Sequence, residues 1–381
     1  MKANRKFLMA AALLFAVTGS SHAEDGVSAG EVVLGMANAL SGPAAGLGTG
    51  MRDGSQAYFN KLNAAGGIHG RKIKLISVDD GYEPAKTAAA TTKLIEQDKV
   101  FALFGYVGTP TSAAAVPLAT KAGVPYVAPF TGAEALRNPV NKVVFNVRAS
   151  YFDETEAQVE HLTKDLGLKK IGVFIQDDAY GAAGKGGVLK ALAKRSLSLA
   201  GEGKYKRNTV EVDEGIAALK ASQPEAIIMV GAYKACAAFV KKAKAQGINA
   251  KFLNVSFVGT ADFIKEAGVD GEGVYITQVV PSPDDDSIAI VKKYQGDMKS
   301  SGKSEFDYTS LEGYIGAAVM SEGLKSAGSN LTRDSFIGAM NALSTDVSGL
   351  KITFSPTSHQ ALKTVYLTQV KGGKAVPITK F

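Results

Sequence analysis

A single cysteine, Cys236, in 381 residues excludes any disulfide within the chain, so stability has to come from burial. Cys236 stands in AYKACAAFVKKAK at helical spacing among apolar residues and reads as a buried structural thiol rather than a nucleophile. Histidine is almost as scarce. His22, His69, His161 and His359 are far apart, and none lies beside a plausible nucleophile. No H-E-x-x-H occurs, and the scattered histidines leave no metal centre or catalytic constellation supported and no cofactor expected. No long Lys/Arg run interleaved with aromatics suggests nucleic acid. Beyond residue 23 no segment offers the roughly 20 uncharged apolar residues of a membrane helix, so stable membrane insertion is not expected. Two glycine-rich stretches also fail as nucleotide motifs. In GPAAGLGTGM, a G-x-G-x-x-G starting at Gly46 needs glycine where Met51 stands, and Gly184-Lys185-Gly186 lacks the Ser/Thr and upstream Gly of a P-loop. The first reads as a loop after a strand, the second as a tight strand-to-helix turn.

What is present begins with an export signal. Lys2, Arg5 and Lys6 precede an apolar run over residues 7–17 and a small-residue end at Ser21-His22-Ala23. This pattern predicts a secretory leader over residues 1–23, cleaved after Ala23 and too short to span a bilayer, and hence a periplasmic protein. The leader carries three cations and no acid, so its removal takes the formal net charge from +7 to +4. Such scattered lysines read as a solvated surface.

Short Val/Ile/Leu/Phe runs then alternate with longer segments of helical period, the pattern of βαβ units on parallel sheets. One series has strands near residues 32–36, 73–78, 101–104 and 124–128, with helices at 50–64, 84–98 and 110–121. A second has strands near 171–175, 226–230 and 252–255, with helices at 153–166, 182–199, 212–221 and 234–246. A run at 274–280 leads into helices at 286–300, 309–326 and 332–342, then strand-like runs at 350–354 and 363–370. Two series imply two lobes whose strand ends face a shared crevice, where ligands favour binding.

The stretch over residues 105–132, GYVGTPTSAAAVPLATKAGVPYVAPFTG, is the most informative. It sets Thr109, Thr111 and Ser112 at a helix start after one strand, and Phe130-Thr131-Gly132 at a turn after the next. A helix N-terminus offers unpaired N–H groups and partial positive charge, so this arrangement suits a small anion or carboxylate. The plainer reading is that Thr109 or Thr111 caps its own helix. Asp79-Asp80 and Asp177-Asp178 stand at strand ends, where aspartate commonly shapes turns and caps helices.

Several segments together resemble the branched-chain amino-acid-type solute-binding proteins of ABC importers, the leucine/isoleucine/valine-binding group. They are LSGPAAGLGTGMRDGSQAYFNKLNAAGGIHGRKIKL, DDGYEPAKTAAATTKLI, FGYVGTPTSAAAVPLATKAGVPYVAPFTG, DDAYG, VGAYKA and SLEGY. The resemblance covers nearly all of the chain past the leader. It implies an α/β type I periplasmic binding fold, with two doubly wound αβα lobes joined by three hinge crossings near 146–150, 276–281 and 354–358. Lobe 1 would comprise residues 24–147 and 281–355, and lobe 2 residues 148–280 and 356–381.

By the same resemblance Thr109 matches the hydroxyl residue holding a ligand carboxylate, with Thr131 assisting from the turn it shares with Phe130 and Gly132. Tyr180 and Tyr233 match tyrosines that close over the ligand, and Leu47 a position that can carry a large aromatic. Tyr82 and Gly108 stand where some relatives bear a disulfide, which places both near the pocket mouth. Ser256 matches the acidic residue that pairs with a ligand ammonium, so that pairing is missing here. Asp153, Asp177 or Asp178 could replace it, while Ser256 and Gln278 would read the ligand's other end. The implied function is capture of a small carboxylate-bearing solute for a membrane permease, by a monomer that is not an enzyme. A ligand-presenting accessory of a membrane sensor satisfies the same features. An exported α/β enzyme lacks a nucleophile and base set, and a cytoplasmic regulator is countered by the leader.

Overall fold

The computed structural model describes residues 24–381, so the leader and its cleavage after Ala23 lie outside the described residues. Five strands form the first sheet: β1 (Glu31–Asn38), β2 (Lys72–Asp79), β3 (Ala102–Phe104), β4 (Tyr126–Val127) and β5 (Val144–Phe145). Their order is β2-β1-β3-β4-β5, and every pairing is parallel. The intervening helices are α1 (Ala45–Ala64), α2 (Pro84–Glu96) and α3 (Thr109–Ala122). After β5 the chain crosses to α4 (Tyr151–Lys164) and builds a second sheet from β6 (Ile171–Gln176), β7 (Gly201–Tyr205), β8 (Ala226–Val230), β9 (Lys251–Asn254) and β10 (Tyr275–Gln278). Helices α5 (Ala179–Ala193), α6 (Asp213–Ser222), α7 (Tyr233–Ala245) and α8 (Thr260–Ala267) connect them.

A second crossing follows β10 and leads to α9 (Ala289–Ser300), α10 (Tyr308–Ala327), α11 (Arg333–Asn341) and a hairpin of β11 (Ser344–Val347) and β12 (Leu350–Thr353). A third crossing returns the chain to β13 (Tyr366–Lys371) and β14 (Lys374–Ile378), which complete the order β14-β13-β10-β9-β8-β6-β7. The central strands β6 and β8 are buried along their whole length, which is why they read as unbroken apolar runs.

The first and third crossings run side by side. Asn146 N–H donates to His359 O at 2.8 Å, and Ala361 N–H and Leu362 N–H donate to Asn146 O and Val147 O, both at 2.9 Å. The His359 ring stacks on Phe145 with centroids 4.2 Å apart, and its Nδ1 lies 2.8 Å from Val144 O. Burial holds this imidazole below its usual pKa, so it is neutral near pH 7.

Four strands, β5, β7, β11 and β14, and the helix α8 are absent from the sequence expectations. The segment GEGKY of β7 has no apolar run, and KAVPI of β14 carries a proline that only an edge strand tolerates. Two glycine clusters also differ from expectation. Gly46, Gly48 and Gly50 lie inside α1 rather than in a loop, and Gly184 and Gly186 inside α5 rather than at a turn. Neighbours press on two of them: a Cβ at Gly48 would come within 1.9 Å of Ala39 O, and one at Gly184 within 2.6 Å of Val230.

The α1–α10 pair is the tightest of these contacts. A Cβ on Gly54 would meet Ser310 O at 1.8 Å, and one on Gly313 would meet Met51 O at 2.3 Å. The helices interlock backbone to backbone, and Ser55 Oγ donates to Gly313 O at 3.0 Å. Replacing Gly54 or Gly313 with alanine is therefore expected to destabilise by about 1–3 kcal/mol, outweighing the gain in helix propensity of about 1 kcal/mol. Gly296, on α9 with open space around its Cα, is the control, and Gly296→Ala should raise the melting temperature slightly. Thermal unfolding of the three variants checks the ranking; a stabilised Gly313→Ala would contradict the packing argument.

Candidate functional site

The chain leaves β3 and enters α3 through Gly108, whose φ of 105° a side-chain-bearing residue rarely adopts. A Cβ there would strike the Tyr82 ring at 2.3 Å, so the glycine seats that ring against the start of α3. No side chain caps the helix. Thr111 Oγ1 donates back to Val107 O and to Gly108 O, which makes it a local structural hydroxyl. Thr109 does neither. Its Oγ1 lies 2.6 Å from Thr131 Oγ1, across the two strand-end turns.

Thr131 is held there by a buried guanidinium. Arg137 donates to Ala133 O at 2.9 Å and to Thr131 O at 3.4 Å, while its other N–H groups reach Arg148 O at 3.1 Å and Gln360 Oε1 at 3.0 Å. One side chain thus ties the Thr131 turn to the first and third crossings. Burial lowers its pKa to about 10, which still leaves it cationic at neutral pH. Gly132 allows a further close approach, since a Cβ there would meet Tyr151 N at 2.5 Å.

Five buried aromatic rings surround this point. Tyr82 and Phe130 come from the first sheet's side, and Tyr151, Tyr180 and Phe257 from the second. Phe257 lies on the short turn after β9 and contacts rings from both sides, with centroids 6.0 Å from Tyr82, 5.4 Å from Phe130 and 4.5 Å from Tyr180. Tyr151 Oη lies 3.3 Å from Thr131 Oγ1. Tyr180 is fully buried, its phenol pKa is pushed well up by burial, and its Oη has no hydrogen-bond partner among the described residues.

At the centre is Arg148, in the first crossing and 1 % exposed. Its Cζ sits 4.9 Å from the Phe130 centroid and 5.9 Å from that of Tyr151. Nη2 bonds Ser256 Oγ and lies 3.3 Å from Glu154 Oε1, while Nη1 lies 3.5 Å from Glu312 Oε1. Nε and Nη1 make no hydrogen bond among the described residues. Burial works against the charge on Arg148, but Glu312 and Glu154 outweigh it and hold its pKa above the ordinary value. Glu154 also accepts from Ser256 N at 2.7 Å, Ser256 Oγ at 2.9 Å and Thr277 Oγ1 at 2.7 Å. Glu312, on α10, is pushed up to about 7 by burial, against the pull of Arg148.

Of the residues expected from sequence, Thr109, Thr131, Phe130, Gly132, Gly108, Tyr82, Tyr180 and Ser256 gather around this cluster. Leu47 stands at the start of α1 and Tyr233 at the start of α7. Gly46 N–H donates to Tyr233 Oη at 3.2 Å, and a Cβ on Gly259 would come within 2.6 Å of Leu47 Cδ2. Gln278 is turned away from the cluster: its amide donates to Thr260 Oγ1 at 2.8 Å and lies 3.4 Å from Thr368 Oγ1. The aspartates offered as replacement acids are engaged elsewhere, Asp153 in the capping box of α4, Asp177 with Lys204 and Asp178 with Arg207. Sequence reasoning missed Arg148, Tyr151, Glu154, Phe257 and Glu312. The visible signal was a lone cation in VVFNVRAS and the glutamate inside SLEGY.

A second set of polar contacts joins the two sides at the rim. Arg207 Nη2 bonds Glu83 Oε2 and its Nη1 bonds Asp178 Oδ2, both at 2.9 Å. Asn208 Nδ2 donates to Glu83 Oε1 at 2.7 Å and to Gly81 O at 3.0 Å, and Gln176 Nε2 to Tyr82 Oη at 3.3 Å. Partial burial raises the pKa of Glu83, but the bonds from Asn208 and Arg207 carry it below the usual carboxylate range.

The chain is similar to known proteins along most of its length. The model of a family described as periplasmic binding protein matches residues 31–375. A protein of Pseudomonas aeruginosa named amino acid binding protein is 25 % identical over 321 residues, covering 82 % of this chain and 83 % of its own. Among solved structures, a possible leucine/isoleucine/valine-binding protein from Rhodopirellula baltica is 36 % identical with a TM-score of 0.88, covering 92 % of this chain and 97 % of that one. A substrate-binding periplasmic protein from Ralstonia solanacearum is 27 % identical with a TM-score of 0.85, covering 91 % and 99 %.

The rim contacts are partly exposed, so each ion pair is worth at most about 1 kcal/mol and is screened by salt. Arg207→Gln is expected to lower stability to denaturant by that order at low ionic strength and by less at high salt. Urea melts at the two salt concentrations check this, and a salt-independent loss would assign Arg207 a packing role instead.

Proposed function

The chain belongs to the periplasmic binding protein family, in its type I leucine/isoleucine/valine-binding group, and from that premise we propose that it captures a small carboxylate-bearing solute between two lobes and delivers it to the permease of an ABC importer. The leader would place it in the periplasm after cleavage behind Ala23, acting as a monomer, as a binder rather than an enzyme and without a cofactor. The moving bodies would be residues 24–147 with 281–355, and 148–280 with 356–381.

The observation that carries this reading is the Thr109–Thr131 hydroxyl pair beside buried, unpartnered donors on Arg148 and Tyr180. Buried donors without acceptors cost about 1–3 kcal/mol each, so the cluster suits a ligand bearing oxygen acceptors. The carboxylate would sit on the two hydroxyls at the positive end of α3, where the helix dipole adds to their hydrogen bonds. Tyr180 would cover it, Tyr82, Phe130 and Phe257 would line an apolar body, and Tyr233 with Leu47 would seal the edge near α1. Because these groups come from both sides of the crossings, solute bound between them favours the closed arrangement by its greater affinity for it. Among the described residues no helix is long and apolar enough to cross a membrane.

Titration calorimetry on ligand-stripped protein with amino acids, short aliphatic acids and aromatic acids tests the proposal. Binding of at least one is expected, and binding of none would overturn it. Thr109→Val should weaken that binding by about tenfold, near 1.4 kcal/mol. Unchanged affinity would remove Thr109 from the site.

A further inference from the structure

We propose that Arg148 anchors the second polar end of the solute and that the solute is an organic acid carrying no ammonium group. This rests on the two-lobed capture proposed above and names its ligand class.

The argument begins with donors. A guanidinium offers five N–H groups, and only those on Nη2 are hydrogen-bonded, to Ser256 and Glu154. Nε and Nη1 are buried without a hydrogen bond, beside the ring that precedes Thr131. A carboxylate or phenolate oxygen accepting from either satisfies a group that nothing else in the described residues satisfies.

The second strand of the argument concerns cations. Ser256 lies against the guanidinium of Arg148, so positive charge is already built in at that position. Arg137 donates to the backbone carbonyl of Arg148, which puts a second cation nearby. An ammonium placed here would face repulsion from both and would need a free carboxylate. Asp153, Asp177 and Asp178 are committed elsewhere, and Glu154 already accepts from Ser256, Thr277 and Arg148. Glu312 remains, and it is the counter-ion of Arg148 at 3.5 Å.

Glu312 consequently acts as an exchangeable counter-ion. Its charged surroundings are Arg148 from the crossing, Glu154 from α4 and, more weakly, Arg137. On the elements packed around α10, Asp307 caps the helix five residues earlier, Asp262 on α8 lies toward Asp307, and Asp297 on α9 is bonded to Tyr314. When an anion takes the free donors of Arg148, Glu312 loses part of the cation's support and favours its protonated form. Burial already holds this carboxyl up to about 7, so anion binding above that pH takes up a proton. Affinity for an acid should be nearly flat between about pH 5 and pH 6, where the free acid is still ionised, and fall by up to about tenfold per pH unit above about pH 7. An ammonium ligand paired with Glu312 would show the opposite slope.

The experiment uses matched pairs that differ only in the ammonium and carry a second carboxylate for Arg148: glutamate with glutarate, and aspartate with succinate. Calorimetry at about pH 6, 7 and 8 on the wild type, Glu312→Gln and Arg148→Gln should find one acid bound at least tenfold more tightly than its amino acid. Its affinity should fall with pH in the wild type, stay level and higher at pH 8 in Glu312→Gln, and drop tenfold or more in Arg148→Gln. Tighter binding of the amino acid, affinity rising with pH, or weaker acid binding in Glu312→Gln overturns the inference while leaving solute capture standing. Binding of neither member of either pair overturns it too, and also counts against capture of solutes of this size. If Arg148→Gln fails to fold, the pair comparison and the Glu312→Gln pH profile decide.

Discussion

A guanidinium withdrawn from water has to be neutralised where it lies, and the middle of this molecule is arranged around that demand. Arg148 is buried in the first crossing, and the groups that meet it come from three directions: Glu312 from α10, Glu154 from α4 and Ser256 from the turn after β9. Removing one partner from such a cluster would strand a buried charge at a cost of several kcal/mol. The cluster therefore couples the positions of elements that belong to different sheets. Its incomplete hydrogen bonding is equally informative, because a purely structural ion cluster would use the donors that Arg148 leaves free.

The second buried arginine has a different role. Arg137 spends its N–H groups on backbone carbonyls and a glutamine amide, fixing the Thr131 turn against the first and third crossings. The same crossings are laced by main-chain bonds and by the His359 ring stacked on Phe145. Two hydroxyls 2.6 Å apart are thereby held on a rigid base, while the rim contacts through Arg207 and Asn208 remain partly exposed and easier to break. A stiff grip beside weaker rim contacts suits the opening and closing proposed above.

Small residues set how closely these parts approach. Glycines inside α1 and α10 bring backbone against backbone, and Gly108 and Gly259 do the same for the Tyr82 ring and Leu47. The start of α1 is thereby placed against Tyr233, and the cluster is closed on the α1 side by packing rather than by charge.

Sequence by itself determined the α/β class and the alternation of strands and helices, because the period of apolar residues is a local property that burial imposes on each element. It also marked Thr109, Thr131 and Tyr180, whose motifs are contiguous. Weakly apolar edge strands such as β7 escaped, since a strand that borrows its burial from one neighbour need not carry an apolar run. Only the tertiary structure decided that Gln278 bonds Thr260 at the start of α8, that the aspartates are committed to caps and ion pairs, and that Glu312 faces Arg148 across 164 positions of sequence. Charge neutralisation depends on distance in space, and neither composition nor spacing along the chain encodes which buried acid will meet which buried base.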